Sequence, residues 1–161
     1  MRARSEGPGK GSEFVLEMPA AEAPGDAQNA TARMKAIKPR PLRVLLVDDN
    51  EDALELLAQV VGRGGHDVRT AADGAAALEL AREMAPDVVF LDIGLPGIDG
   101  YEVAKRMRDE LGLDNALLVA LSGYSGADFV ERARKAGFDQ HLVKPVGMQA
   151  VDDVLRSHVR P

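Results

Sequence analysis

The sequence contains no cysteine and no tryptophan, and only 4% of its 161 residues are aromatic. The absence of cysteine excludes a disulfide framework, a thiol nucleophile and any cysteine-ligated zinc or iron–sulfur site. Because aromatic residues are scarce, a hydrophobic core has to be built from valine, leucine, isoleucine and alanine. The chain is long enough for one globular domain with such a core.

Long apolar segments are also missing. The longest apolar run, Ala116–Leu121, is far shorter than the roughly 20 residues that cross a bilayer as a helix. Residues 1–14 contain no apolar segment of the kind found in secretory signal peptides. We therefore expect a cytoplasmic location and no insertion into a membrane.

The net charge of −6 hides an asymmetry along the chain. Residues 1–40 carry seven Lys/Arg and five Asp/Glu, a net charge of +2, whereas residues 41–161 carry thirteen and twenty-one, a net charge of −8. Because an acidic domain repels a phosphate backbone, we expect this chain to bind no nucleic acid. A metal ion or a basic partner surface fits this charge better.

The first forty residues differ from the rest in composition. Glycine and proline are scattered through them, and residues 20–40 have no sustained hydrophobic period, which is typical of a flexible linker. The exception lies within residues 13–18, where Phe14, Val15 and Leu16 predict a short strand. We expect that strand to have no partner in this chain, and an isolated strand is not stable.

Residues 5–16, SEGPGKGSEFVL, resemble the last glycine turn and strand of a histidine-kinase ATPase domain. The resemblance implies that residues 1–19 are the remnant of such a domain, and that the chain is the tail of a larger kinase or descends from one. The alternative is an ordinary flexible tail. A nucleotide phosphate loop is disfavoured, because the glycine-lysine order differs and an extended segment follows instead of a helix.

A regular alternation of apolar segments extends over residues 41–160. Short apolar runs between polar residues predict buried strands, and apolar residues three and four positions apart predict helices. The expected strands are Leu42–Val47, His66–Thr70, Asp87–Leu91, Ala116–Leu121 and Gln140–Val143. The expected helices are Asn50–Arg63, the segment after Asp73, Asp99–Glu110, Ala127–Ala136 and Met148–Val159.

This alternation predicts an α/β fold, a doubly wound parallel sheet of five strands covered on both faces by five helices. We expect the flavodoxin-like strand order 2-1-3-4-5 in a domain that spans residues 41–160. In that order the functional crevice lies at the carboxyl ends of the strands, beside the first and third. The residues at the strand ends are therefore the candidates for chemistry.

Polar side chains stand at four of these strand ends. Asp48 and Asp49 follow the first strand, and Asp92 ends the third. The fourth strand runs into Ser122, and Lys144 follows the fifth. Because the carboxyl ends of parallel strands lie along one edge of the sheet, we expect these side chains to converge.

Each of these residues also has an ordinary explanation by itself. One of residues 48–50 is expected to cap the following helix, and Asp92 is explained equally well as a turn residue. Ser122 is explained equally well as part of a loop, and Lys144 as a solvated surface charge. Chance capping does not require all of them to meet at one edge, which favours a functional cluster.

Three carboxylates within a few ångströms repel one another, and without compensation one of them takes up a proton. A hard divalent cation such as Mg²⁺ relieves this repulsion through oxygen ligands. A metal-bound carboxylate beside a lysine is suited to receive a phosphoryl group, because the metal, Lys144 and the Ser122 hydroxyl neutralise the transferred oxygens. Asp92 is the best candidate nucleophile, since it lies on the central strand between the acidic pair and Lys144.

Residues 42–159 resemble a response-regulator receiver domain. The resemblance is carried by VLLVDDN at 44–50, LDIGLPGIDG at 91–100, ALSG at 120–123 and KP at 144–145. It covers nearly three quarters of the chain, with all the key positions in order.

The resemblance implies a role for each candidate residue. Asp92 would be the phospho-acceptor, Asp49 a direct Mg²⁺ ligand and Asp48 a ligand through water. The carbonyl of Gly94 would complete the protein's share of the metal shell. No organic cofactor is implied.

The resemblance also assigns residues that respond to the phosphoryl group. Ser122 would be the switch hydroxyl that turns toward it, and Lys144 the cation bonded to it, aimed inward by a cis Lys144–Pro145 peptide. Three residues before the lysine, receivers commonly carry Tyr or Phe, whereas this chain has His141. An imidazole is smaller, titrates near neutral pH and need not swing in the same way.

Residues 137–146, GFDQHLVKPV, resemble the ending of receivers that are fused behind hybrid histidine kinases. This implies a phosphorelay role, in which a histidine kinase or a histidine phosphotransfer protein donates the phosphoryl group, rather than direct control of transcription. The chain alone would then be no enzyme apart from its Mg²⁺-dependent self-phosphorylation. Its oligomeric state is left open by the sequence.

Two other functions remain as alternatives. One is a phosphatase that also forms an aspartyl phosphate, although such enzymes usually carry a general-acid aspartate where this chain has Gly94, so turnover would be slow. The other is a flavodoxin-like binding module that is never phosphorylated. That alternative predicts no response to Mg²⁺, and the intact acidic cluster disfavours it.

Overall fold

The computed structural model describes residues 2–5, 12–15 and 40–158, and the chain divides into two units, Met1–Lys38 and Pro39–Pro161. In the first unit, strand β1 (Arg2–Ser5) pairs antiparallel with strand β2 (Ser12–Val15). The predicted strand at Phe14 and Val15 is therefore present. The expectation that it lacks a partner was wrong, because Arg2–Ser5 supplies one.

Other predictions for this part of the chain lie mostly outside the described residues. Leu16 is not among them, and of the expected linker at 20–40 only Arg40 is described. The linker and the boundaries of the kinase remnant therefore stay predictions.

The second unit contains five strands and five helices. The strands are β3 (Arg43–Val47), β4 (Asp67–Ala71), β5 (Val88–Asp92), β6 (Leu117–Ser122) and β7 (Gln140–Val143). The helices are α1 (Glu51–Arg63), α2 (Gly74–Met84), α3 (Gly100–Asp109), α4 (Ala127–Lys135) and α5 (Met148–His158). Within the described residues, these elements lie within about one residue of the predicted ones.

The sheet has the strand order β4-β3-β5-β6-β7, and all its pairings are parallel. Counted along this unit, that is the order 2-1-3-4-5, which confirms the predicted fold. The chain passes through a helix between consecutive strands, because parallel strands require a crossover connection. The central position of β5 is reflected in its burial, since all residues of Val88–Asp92 are buried.

Alternate residues of the strands pack into two apolar layers, one on each face of the sheet. Leu45 and Leu91 belong to the layer covered by α2 and α3. Leu46 and Phe90 belong to the layer covered by α1 and α5. Because both faces are buried, the inner strands have nearly continuous apolar sequences instead of alternating ones.

Three helices of this unit begin at a side chain that caps them. The side chain of Asn50 accepts a hydrogen bond from the Ala53 N–H of α1, at 3.1 Å. Asp73 and Asp99 cap α2 and α3 in the same way. The capping role open to residues 48–50 is therefore taken by Asn50, and the two preceding aspartates remain available for another role.

The start of α3 lies directly against the end of β5. A Cβ atom on Gly100 would approach the Ile93 Cα to 2.7 Å, a distance that real contacts do not reach. Only glycine permits this close approach, which brings the LPGIDG loop over the Asp92 strand end. In the parts of the chain that the structure describes, no helix is long and apolar enough to span a membrane.

Candidate functional site

Three carboxylates meet at the carboxyl edge of the sheet. One oxygen each from Asp48, Asp49 and Asp92 can be chosen so that all lie within 4.8 Å of one another. Asp48 follows β3 and Asp92 ends β5, and these two strands are paired neighbours. Asp48 and Asp92 are buried while Asp49 is exposed, so the cluster opens to solvent on one side.

Lys144 extends into this cluster from the end of β7. Its Nζ lies 2.7 Å from Asp48 Oδ2 and 2.9 Å from Asp92 Oδ2. The peptide bond that follows, Lys144–Pro145, is cis, as the resemblance implied. The lysine is therefore shared between the two buried carboxylates and is not a solvated surface charge.

The two carboxylates keep this lysine positively charged. Burial lowers the pKa of Lys144, but the hydrogen bonds and negative charges of Asp48 and Asp92 outweigh that effect, so its pKa is raised above the usual 10.5. The site thus contains one lysine cation and three carboxylates, which leaves an excess of negative charge. This excess of negative charge is the condition under which a second cation is attracted.

The remaining oxygens of the buried acids accept hydrogen bonds from the backbone. Asp48 Oδ1 accepts from the Asn50 N–H at 2.9 Å, and Asp92 Oδ1 accepts from the Gly94 N–H at 3.1 Å. Asp92 thus has the turn role considered above, yet its other oxygen faces Lys144. The turn and the cluster are therefore compatible functions of one side chain.

The donor set fits a hard divalent cation. All its ligand atoms are oxygens, which Mg²⁺ and Ca²⁺ prefer, and one of the carboxylates is open to water that would fill the rest of the shell. Gly94 is adjacent, because a Cβ atom placed on it would lie 3.7 Å from Asp92 Oδ2. Whether its carbonyl oxygen is a ligand stays a prediction.

Ser122 lies at the end of the strand next to β5. Its predecessor Leu121 pairs with Asp92, and its own carbonyl accepts a hydrogen bond from the Lys144 N–H at 2.8 Å. The hydroxyl oxygen accepts from the Tyr124 N–H at 3.0 Å, and the residue is 4% exposed. Ser122 is thus the last residue of β6, beside the strand end that carries Asp92, and not part of a loop.

Comparison with known proteins identifies this arrangement. Residues 44–156 match the family model of the response regulator receiver domain. This match covers well over half of the chain. The chain belongs to the receiver domain family.

Individual relatives agree with this assignment. The chain is 39% identical over 135 residues to the virulence sensor protein BvgS of Bordetella pertussis, which covers 81% of this chain and 11% of BvgS. It is 29% identical over 119 residues to the polar-differentiation response regulator DivK of Brucella anthropi, which covers 74% of this chain and 97% of DivK. The chain thus spans about a tenth of the length of BvgS.

Solved structures show the same fold. The chemotaxis protein CheY4 of Vibrio cholerae aligns with this chain with a TM-score of 0.69 and 26% sequence identity, over 73% of this chain and 98% of CheY4. The flavodoxin-like topology predicted from the sequence is therefore that of CheY-like receivers.

His141 of this receiver lies on β7 beside a row of aromatic rings. Its ring centroid is 5.9 Å from that of Phe129 on α4, with the planes at 69°. Phe129 is also 6.3 Å from Tyr101 on α3, and the Arg132 guanidinium lies 4.1 Å above the Tyr101 ring. The phenol of Tyr101 has a raised pKa because burial disfavours the phenolate, although the charge of Arg132 opposes this.

The sequence argument did not identify this row. Phe129 and Arg132 are three residues apart on a predicted helix, which indicates a shared face. Their partner Tyr101 belongs to a different helix, and no local pattern predicts that α3 and α4 present these residues to each other.

A cleft of about 260 Å³ lies beside the receiver's acidic cluster. It lies between α1 and the connection from β7 to α5, and both Asp48 and Lys144 reach it. Most of its lining is apolar, and it includes the exposed side chains of Leu56 and Met148. Asp48 and Lys144 are therefore the members of the site that this cleft reaches.

Proposed function

We propose that this chain is a phosphorylatable receiver of a two-component phosphorelay, in which Asp92 accepts a phosphoryl group from a phosphohistidine in the presence of Mg²⁺. The donor would be a histidine kinase or a histidine phosphotransfer protein. The observation that carries the proposal is the Asp92 carboxylate, held 2.9 Å from the Lys144 ammonium within a cluster of three acids at the sheet edge.

In the proposed step, a carboxylate oxygen of Asp92 forms a bond to phosphorus while the bond from phosphorus to the donor's imidazole nitrogen breaks. The electron pair of that bond stays on the imidazole, which takes up a proton from solvent. Lys144 contacts an oxygen of Asp92 before the reaction, so its charge is already in place for the phosphoryl oxygens. The Ser122 hydroxyl is the candidate to hydrogen-bond one of these oxygens afterwards.

Asp49 and Asp92 would bind Mg²⁺ directly, Asp48 through water, and Gly94 through its carbonyl. When bound, Mg²⁺ supplies the positive charge that neutralises the transferred phosphoryl oxygens. Asp48 accepts a hydrogen bond from the Asn50 N–H and forms an ion pair with Lys144. These two contacts hold its carboxylate in place for the metal-bound water. A general acid is missing at Gly94, which disfavours a phosphatase that turns over rapidly.

We also propose that the receiver belongs to a hybrid histidine kinase and acts in the cytoplasm. The relationship with BvgS, a sensor protein of which this chain matches 11%, supports a larger parent protein. The β1–β2 hairpin supports it as well, because an isolated two-stranded hairpin is marginal in water and gains stability from further strands. Residues 1–19 would then be the end of the ATPase domain, and residues 20–40 the linker to the receiver at 41–160.

The central experiment is phosphorylation of the purified chain with acetyl phosphate and Mg²⁺, measured by intact mass. We expect one phosphoryl group on the wild-type protein and none on Asp92→Asn. Asp73→Asn is the matched control, since an asparagine still caps α2 and Asp73 is not one of the three clustered acids. Phosphorylation of Asp92→Asn to the wild-type level would refute the proposal, and turnover of many equivalents of a phosphomonoester would favour a phosphatase.

A further inference from the structure

Helix α1 carries two apolar stripes. Leu54 and Val61 belong to the first, which is buried against the sheet. The second stripe has the spacing of three and four residues that places side chains on one face of a helix, and it consists of Ala53, Leu56, Leu57 and Val60. These residues line the cleft beside the acidic cluster, and Leu56 is 59% exposed. The packing of the receiver therefore leaves part of the second stripe uncovered.

The opposite wall of the cleft comes from the connection between β7 and α5. Val146 and Met148 line it, and Met148 is 55% exposed. Single exposed apolar side chains are common on protein surfaces, but Leu56 and Met148 line one concave space of about 260 Å³. Concave, mostly apolar surface of this kind is typical of sites for small molecules. The cleft therefore offers apolar area to the body of a bound molecule.

One end of the cleft is polar, and negative charge dominates there. Asp48 and Lys144 reach the cleft, and they belong to the cluster of three carboxylates and one ammonium. The first turn of α1 adds the carboxylates of Glu51 and Asp52. The amino-terminal ends of α1 and α5 oppose this charge, each with the equivalent of about half a positive charge. One ammonium and two helix ends leave about three of the five negative charges unmatched.

The combination of apolar walls and negative charge selects one class of molecule. A ligand that carries a carboxylate or a phosphate meets an excess of negative charge, so it is repelled from the polar end. An uncharged ligand gains only from the apolar walls. An organic cation with a short apolar body gains from both, because its charge meets the Asp48 carboxylate, which is 2% exposed. Burial of that carboxylate strengthens the attraction, since little water screens it.

We propose that this cleft binds an organic cation with a short apolar body, such as a primary alkylammonium ion. Its charge would lie at Asp48, and its apolar body between α1 and the connection from β7 to α5. Because Asp48 is also an expected ligand of Mg²⁺ through water, the organic cation and Mg²⁺ compete. The binding site does not depend on the proposed function, whereas its consequence, slower phosphorylation of Asp92, rests on it.

Titration with hexylammonium chloride in the absence of Mg²⁺ tests the site, with the methyl NMR signals of the protein as the readout. We expect the signals of Leu56, Leu57 and Val146 to shift, because these side chains line the cleft. Hexanol has the same apolar body without a charge, and hexanoate has a negative one. A single ion pair changes an equilibrium by about two- to fivefold, so hexanol should bind more weakly by about that factor and hexanoate more weakly still. Equal affinity for the three probes, or shifts confined to other parts of the receiver, would overturn the proposal.

Ala53→Leu tests whether the apolar body occupies the cleft. The larger side chain fills part of the cleft, while the backbone N–H of residue 53 still donates to Asn50. Loss of the burial of one methylene corresponds to about a fourfold change in an equilibrium, so hexylammonium should bind at least about fourfold more weakly. Ala75→Leu makes the same change at an exposed position on α2 and should bind like the wild type. Equal affinities of the two variants would contradict the proposed position of the ligand.

Competition with Mg²⁺ tests the position of the charge. Hexylammonium should weaken Mg²⁺ binding in a calorimetric titration, and Mg²⁺ should weaken hexylammonium binding by the same factor. Phosphorylation by acetyl phosphate at subsaturating Mg²⁺ should slow in parallel, as measured by intact mass. An unchanged Mg²⁺ affinity in protein saturated with hexylammonium places the cation away from Asp48 and overturns the proposal. If the protein without hexylammonium binds Mg²⁺ but is never phosphorylated, the proposed function fails while the binding site stands.

Discussion

At the amino ends of two strands an aspartate is paired with an arginine, whereas at the carboxyl ends one lysine faces a cluster of three aspartates. Asp87, before β5, forms a 2.9 Å ion pair with Arg43 and accepts its backbone N–H at 2.8 Å. Asp139, before β7, is paired with Arg108 at 2.7 Å. Each of these two amino-edge acids therefore has its own arginine, while the carboxyl edge keeps an excess of negative charge.

The ion pairs of the amino edge contribute to stability, whereas the unbalanced acids of the carboxyl edge are suited to reactivity. At the amino edge the hydrogen bond from Arg43 holds the pKa of Asp87 below its usual value, more than offsetting its burial. Arg40 lies 3.6 Å from the same carboxylate, so the negative charge of Asp87 is matched by arginines. At the carboxyl edge one lysine offsets only part of the negative charge of three acids. These acids can therefore still bind a cation, which a metal site and a phosphoryl transfer require.

Of the substitutions that compare the two edges, Lys144→Met is expected to have the largest effect on phosphorylation. Removal of a preorganised cation from a transferring group typically lowers a rate by about 10²-fold, so phosphorylation by acetyl phosphate should slow by about that factor. Mg²⁺ should bind more tightly, because Lys144 no longer neutralises Asp48 and Asp92. Stopped-flow phosphorylation and calorimetric Mg²⁺ titration measure the two effects.

Lys105→Met, at an exposed position on α3, is the control for that experiment and should leave both quantities unchanged. A wild-type phosphorylation rate in Lys144→Met would show that the lysine is only a structural counter-ion, as the arginines of the amino edge are.

The converse change at the amino edge is Asp87→Ala. Hydrogen bonds to charged groups contribute roughly 1.5–3 kcal/mol each, so we expect the free energy of unfolding to fall by about 2 kcal/mol. The extent of phosphorylation should not change. Urea unfolding with Asp114→Ala, an exposed loop position, as the reference checks this. A loss of phosphorylation in folded Asp87→Ala would contradict the division between the two edges.

The pH dependence of stability gives a finer test of the same pair. Since the pKa of Asp87 is lowered in the folded state, its contribution is present above the unfolded value of about 3.9. It is lost as the pH falls through the lower, folded value. The stability difference between the wild type and Asp87→Asn should therefore be constant near neutral pH and shrink below about pH 4. A difference that grows on acidification would reverse the sign of this argument.

The smallest effect is expected from Asp99→Ala, an acid near the carboxyl edge that is outside the cluster. Its side chain caps α3 through a 2.9 Å hydrogen bond from the Glu102 N–H. Loss of such a cap lowers stability by about 1 kcal/mol, while phosphorylation should persist. Asp99→Asn should restore the stability, because asparagine also caps. If phosphorylation fell with stability intact, Asp99 would have to be counted with the site.

Much of this molecule follows from local pattern. The continuous apolar runs around Leu45 and Phe90 predict strands buried on both faces, and the parallel order then predicts that Asp48 and Asp92 meet at one edge. The choice among residues 48–50 for the helix cap did not follow, because all three side chains are able to cap. Only the backbone path of β3 into α1 assigns the cap to Asn50.

Other features escaped the sequence argument for a physical reason. The partner of β2 is Arg2–Ser5, a segment whose alternation of arginine with small residues has no apolar signal for a strand. The row of His141, Phe129 and Tyr101 depends on the packing of α4 against β7 and α3. Contacts of this kind join residues far apart in the chain, and no short-range period encodes them.

The sequence by itself determined the strand order, the identity of the acids and lysine, and the edge at which they gather, because hydrophobic periodicity and crossover geometry leave little choice. The tertiary structure decided how the charges are distributed among partners. It gave Lys144 to both Asp48 and Asp92, paired Asp87 with Arg43, and fixed one end of α4 through Arg108. Distances of a few ångströms between distant segments set these pairings, and they exist only once the sheet and its helices have packed.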